Sequence, residues 1–113
     1  MDTLQQAKAT FKVLEDLAKE LGKFNGVVAT KTLRKELQVL IEKYVKMGII
    51  DRLDINKEIT LSTDIRRIHN MAPDVTIILC KDNTFGVMDD CLWGTMTGIH
   101  EMIQEWTSYK GMD

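Results

Sequence analysis

Near position 49 the hydrophobic spacing of this chain changes, and no other feature restricts its fold so strongly. Before that point apolar residues recur in steps of three and four. After it they recur at every second position, and towards the C-terminus the helical steps return. Leu4, Ala7, Phe11, Leu14, Ala18 and Leu21 predict one apolar face along a helix over about 3–21, with Thr3 and Gln6 in a capping-box pattern at its start. Gly22 and the turn pair Asn25-Gly26 close it. Leu33, Leu37, Leu40, Ile41 and Tyr44 predict a second helix over about 31–47. Lys43 and Lys46 complement its dipole, and Gly48 supplies a left-handed cap. The short connection makes the two helices an antiparallel hairpin.

The alternating stretch predicts strands over about 49–55 and 58–62, paired across a turn at Asn56-Lys57, with Ile49, Leu53 and Ile55 on one face. Ile65 and Ile68, three apart, suggest a short helical turn from Asp64 to Met71 that ends before Pro73. Val75 to Cys80 is almost continuously apolar and β-branched, which predicts a strand over 75–80 buried on both faces. Asp82-Asn83 suits a tight hairpin returning through a strand over 85–88. Asp89 to Gly94 reads as a loop, and Ile99, Met102, Ile103 and Trp106 mark a last helix over about 96–109. Unlike elements in separate runs predict one α+β domain over residues 1–113: an N-terminal antiparallel helical hairpin, a small antiparallel sheet, and a C-terminal amphipathic helix packed on the sheet.

Composition excludes several classes. With 44% hydrophobic and 28% charged residues, a chain of 113 residues has enough apolar material for one core without staples. No apolar run approaches the roughly 20 residues of a membrane-spanning helix. The first residues, MDTLQQAKATFK, are polar where a secretion signal is basic and then apolar. Cys80 and Cys91 are too few for a disulfide scaffold, so two buried thiols in a cytoplasmic protein are the expectation. Residues 1–50 carry nine Lys/Arg against six Asp/Glu, and residues 51–113 carry six against eleven. This asymmetry, within a net charge of −2, suits a protein partner better than a nucleic acid.

The chain has no glycine-rich phosphate loop. His69, Cys80, Cys91 and His100 stand eleven, eleven and nine positions apart, without the close pairs of a zinc site, so no metal and no cofactor is expected. Cys91 with His100, and Asp89 or Asp90 to orient the base, is formally a nucleophile pair, but adjacent carboxylates disfavour the thiolate. Asp82-Asn83-Thr84-Phe85-Gly86 resembles a fragment of a calcium loop without its closing glutamate. No catalytic residue is assigned, and the chain is read as a non-enzyme.

Three interaction readings remain. Met88, Leu92, Trp93, Met96, Met102 and Trp106 lie within nineteen positions, and Met and Trp are the adaptable and anchoring residues of protein interfaces. The first helix is a second surface for self-association. These features predict a small non-enzymatic protein-binding module, an accessory, regulatory or inhibitory factor that forms a homodimer. A first alternative is a winged-helix-like DNA binder that uses Lys31, Arg34 and Lys35 on the helix over 31–47, with the strands over 49–62 as its wing. The acidic Asp51, Asp54 and Glu58 on that wing disfavour it. A second alternative is a small anionic ligand or nucleotide gripped by Arg66 and Arg67 and stacked on Trp93.

Overall fold

The computed structural model of the chain describes residues 3–52, 58–72 and 75–111. Two helices, α1 (Thr3–Gly22) and α2 (Lys31–Lys46), come first. Five strands follow, β1 (Asp51–Arg52), β2 (Ile59–Ser62), β3 (Ile65–Ala72), β4 (Val75–Cys80) and β5 (Phe85–Met88), and then α3 (Asp90–Gly111). This is an α+β fold with an antiparallel sheet, N-terminal helices and a C-terminal helix. β5 pairs with β4 and β4 with β3, while β1 and β2 share the far edge of β3 at opposite ends.

Local chemistry sets the helix ends. Thr30 caps α2, its hydroxyl accepting the Leu33 N–H at 3.1 Å. At the other end Gly48 adopts φ +73°, the left-handed conformation that lets the chain leave the helix. The N–H groups of Ile49 and Ile50 then both donate to the Tyr44 carbonyl. Ile50 is therefore buried in this cap, and Ile49 does not begin a strand as the alternation suggests. Leu53, Ile55 and the Asn56-Lys57 turn lie outside the described residues, as does Pro73.

One face of the sheet makes the core. Val75, Ile77 and Leu79 are buried, alternating with half-buried Thr76, Ile78 and Cys80. Their cross-strand neighbours Met71, His69 and Phe85 continue the buried face. Leu14, Leu17, Ala18 and Leu21 of α1, Leu37, Ile41 and Tyr44 of α2, and Leu92 and Met96 of α3 join them in one cluster. The strand over 75–80 is thus buried on one face rather than on both. An apolar run without alternation can also serve a half-covered sheet, provided its outer residues are shielded by their neighbours.

Three further expectations are corrected. The segment 64–71 is not a helical turn but most of β3, the strand that pairs with β1, β2 and β4. A bulge between Arg67 and His69 adds one residue, so Ile68 and His69 both turn to the buried face. Ile68 and Met71, three apart, consequently share the buried face, while Ile65 stands opposite Cys80 on the outer one. The strands at 51–52 and 59–62 do not pair with each other but both with β3. Finally, α3 starts at Asp90, six residues before the expected 96. Gly94, Thr95, Thr97 and Gly98 are poor helix formers, but Leu92, Met96 and Ile99 sit at i, i+4 and i+7 on one packed face, and packing overrides propensity. The hydroxyls of Thr95 and Thr97 donate to the carbonyls four residues back, which satisfies them within the helix.

The α1–α2 connection seals the β5 edge. Gly26 N–H donates to the Phe85 carbonyl (2.8 Å), Phe85 N–H to Val27 (2.9 Å) and Ala29 N–H to Asn83 (2.7 Å), and the Asn25 side chain accepts the Val87 N–H (3.0 Å). Phe24 meets Phe85 edge to face at 5.8 Å. Between α1 and α2, the Tyr44 hydroxyl donates to a Glu20 carboxylate oxygen at 2.7 Å. Burial, then this hydrogen bond, raises the Tyr44 pKa above its usual value. A raised folded pKa means the stability from this pair is complete below the unfolded tyrosine value of about 10 and is lost as pH rises above it. Tyr44→Phe should lower stability by about 1 kcal/mol in urea titration at neutral pH and should remove the part of the alkaline fall that Tyr44 causes. On the outer face, Ile78 lies across Gly86, where an added Cβ would stand 2.6 Å from Ile78 Cγ1 and 2.8 Å from Cδ1. Gly86→Ala should cost about 1–3 kcal/mol, and less when Ile78 is first changed to Ala.

Candidate interaction surface

The Met- and Trp-rich segment is divided by the first turns of α3. Leu92 and Met96 are 0% and 2% exposed and belong to the core, so they leave the set of surface candidates. Met88, Trp93 and Met102 are exposed at 55%, 47% and 37%, and Trp106 is half-buried. A helical period of 3.6 explains the division. Residues 92 and 96 face the sheet, 93 lies a quarter turn away, and 102 and 106 lie farther along the helix.

Trp93 is exposed yet fixed. Its backbone N–H donates to the Asp89 carbonyl at 3.1 Å, and its indole N–H donates to the Asp89 carboxylate at 3.1 Å. The ring forms one wall of a groove of about 220 Å3 between α1 and α3, whose other walls are Phe11, Glu15, Met96, Thr97 and His100. Phe11 and His100 touch with ring centres 5.7 Å apart. Leu14 to Leu21 of α1 share a cluster with Leu92 and Met96 of α3 while Phe11 meets His100, so the helices run antiparallel. The N-terminal half of α1 therefore lies along the C-terminal half of α3. Phe11 and His100 were not singled out from the sequence as surface residues. The available signal was that His100 follows Trp93 by seven positions, two helical turns on one face.

The basic residues are placed differently. Lys31, Arg34 and Lys35 are exposed on the first turns of α2. The Arg34 guanidinium donates to one Glu58 oxygen at 2.6 Å, and Arg66 donates to the other at 3.3 Å. Glu58 thus ties α2 to the end of β3 and neutralises charge that a phosphate backbone would need. Among the described residues of the expected wing, β1 and β2 each pair with β3. Arg66 and Arg67 are successive strand residues and point to opposite faces, and Trp93 stands in the α1–α3 groove, so these three do not form one anion site. Behind Glu58 a cleft of about 250 Å3 runs between α2 and the bulge, lined by Arg34, Lys35, Leu37, Gln38, Ile68 and the buried His69.

Cys91 is exposed and Cys80 half-buried, which corrects the expectation of two buried thiols, and neither is in a disulfide. Cys91 and His100 are nine residues apart on one helix, half a turn out of phase, so they do not meet. Among the described residues no group of three His, Cys, Asp or Glu is placed to hold a metal ion. The Asp82 carboxylate instead accepts the Thr84 hydroxyl (2.6 Å) and N–H (3.2 Å) inside the hairpin turn, where Asn83 takes φ +64°. The hydroxyl bond and then the N–H bond hold the Asp82 pKa below the usual carboxylate range. Against known proteins, the chain matches no family model, no curated protein and no solved structure. The placement of Trp93 and Met96 has a direct consequence. Met96→Ala should destabilise by about 2–4 kcal/mol, and Trp93→Ala by less than about 1 kcal/mol, in equilibrium unfolding.

Proposed function

We propose that the protein is a small non-enzymatic protein-binding module, an accessory, regulatory or inhibitory factor of the cytoplasm that acts as a homodimer. The observation that carries this reading is its shape. The Cα radius of gyration is 16.5 Å and the extents are 58 × 24 × 21 Å. A compact domain of this length has a radius of gyration of about 13 Å. The added length is accompanied by exposed or half-buried Met102, Ile103 and Trp106 on α3 and half-buried Leu4 and Ala7 on α1. Apolar side chains on an elongated helix pair are the material of a helix-to-helix interface.

The groove at Trp93 offers a second contact, for a further protein. An indole already held by Asp89 loses little freedom on binding, and tryptophan is enriched among residues that dominate binding energy. The cytoplasmic assignment is supported by two cysteines outside any disulfide. Among the described residues no helix is long and apolar enough to cross a membrane. The Glu58 brace weighs against the DNA-binding and anion-binding alternatives, because it occupies Arg34 and Arg66.

Sedimentation equilibrium tests the proposal. A mass of twice 12.9 kDa is expected, with a melting temperature that rises with protein concentration. A strict monomer at about 100 μM, with no such rise, would remove the homodimer from the reading.

A further inference from the structure

Resting on the reading of the Trp93 groove as a contact for a further protein, we infer that the groove takes an arginine side chain of that partner. Three of its six walls are rings, Phe11, Trp93 and His100, and a fourth is the carboxylate-bearing Glu15, with buried Met96 and Thr97 completing it. None of the six is lysine or arginine. An aromatic ring has a negative face, and a cation within about 6 Å of its centre is attracted to it, most strongly by tryptophan. Trp93 is 47% exposed, which leaves ring surface open to a cation, and the Asp89 carboxylate holds the ring in place through the indole N–H. A ring fixed in advance loses little freedom on binding.

Charge selects the class of ligand. From Asp89 to Tyr109 the chain carries Asp89, Asp90, Glu101 and Glu105 and no lysine or arginine. On α1, Lys12 and Lys19 approach Glu15 at 3.8 and 3.4 Å, but both reach the same oxygen, Oε1. Their side chains are 65% and 64% exposed, so both charges stay in water, where they are screened. A carboxylate has two oxygens and about four acceptor positions, which leaves Glu15 able to take a further donor. That carboxylate decides among cations. A guanidinium is planar, stacks on an aromatic face and brings five N–H donors to a carboxylate beside it. A quaternary ammonium has no N–H to donate, and a lysine ammonium is more strongly hydrated and costs more to strip of water. Of the three, arginine uses both the rings and Glu15.

The test is a titration of the full chain, followed by NMR at the indole N–H groups. Trp93 and Trp106 are the two tryptophans of the chain, thirteen positions and about 20 Å apart along α3, so one reports on the groove and the other is a control. The probes are N-acetyl-arginine methylamide, its citrulline counterpart of the same shape without the charge, its lysine counterpart, and tetramethylammonium. The arginine probe should shift the Trp93 signal saturably, with a dissociation constant of about 1–10 mM, and leave Trp106 in place. The citrulline probe should bind at least about tenfold more weakly, and the lysine probe and tetramethylammonium at least about threefold more weakly. Glu15→Gln should weaken the arginine probe by about threefold or more with an unchanged circular dichroism spectrum. The inference is overturned by the absence of a saturable shift at Trp93, or by citrulline, lysine or tetramethylammonium binding as tightly as arginine. Unchanged affinity in Glu15→Gln overturns it too. Should Glu15→Gln fail to fold, the comparison of arginine with citrulline on the wild-type chain decides alone. Each of these failures leaves the protein-binding reading standing, whereas a strict monomer in sedimentation removes the homodimer without touching the arginine site.

Discussion

A mismatch of lengths governs this structure. β3 and β4, the strands paired on both sides, have eight and six residues and so span about 26 and 20 Å, while α3 has 22 residues and spans about 33 Å. A helix can bury its stripe only where something faces it. The first part of α3, with Leu92 and Met96, finds the sheet, and the remainder finds only α1. α1 has the complementary problem, since its buried residues stop at Leu14 and its stripe continues back to Leu4. Each helix solves half of the other's exposure, and the common outer side remains open.

The same limit explains why the core is one-sided. Val75, Ile77 and Leu79 face three helices, whereas Thr76, Ile78 and Cys80 are only half-buried on the other face. Ile78 reduces its exposure by lying across Gly86, a contact that exists because position 86 has no Cβ. The helical layer is held together partly by polar contacts at its margin. Tyr44 reaches Glu20 between α1 and α2, and Glu58 holds Arg34 and Arg66 between α2 and β3. The Glu58 pairs are exposed, so they contribute modestly to stability. Their larger effect is on recognition, because they consume two of the charges that would attract a phosphate.

The parts of the fold legible in the sequence were those in which one period governs a whole element. α1 and α2 show uninterrupted helical spacing, and Gly48 after α2 takes the expected left-handed conformation. The β4–β5 hairpin was likewise marked by Asp82-Asn83 and the β-branched run before it. Misreadings came where tertiary packing overrode local pattern. The bulge in β3 shifts the alternation by one residue and puts Ile68 and Met71, a helical interval apart, on the same face. In α3, the glycines and threonines between 94 and 98 concealed a first turn that the core requires. The surface candidates failed for a related reason: composition placed Met and Trp together, but only helical phase separates Met96 from Trp93. Phase could not be set while the start of the helix was misplaced by six residues.

The edges of the sheet bear on why association should fall to the helices. Exposed strand edges offer a ready route by which sheet proteins join, through unpaired N–H and C=O groups. Here the β5 edge is occupied by the α1–α2 connection, through Gly26, Val27 and Ala29. Among the described residues the opposite edge carries two short segments, β1 with two residues and β2 with four, and β2 is irregular between Thr60 and Ser62. Among those residues neither edge offers a long flat ladder to a second chain. The hydrogen-bonding route is closed by backbone contacts already made, and the apolar route along the helix overhang is open. Any association that the proposed function calls for would then fall to side-chain packing rather than to the backbone.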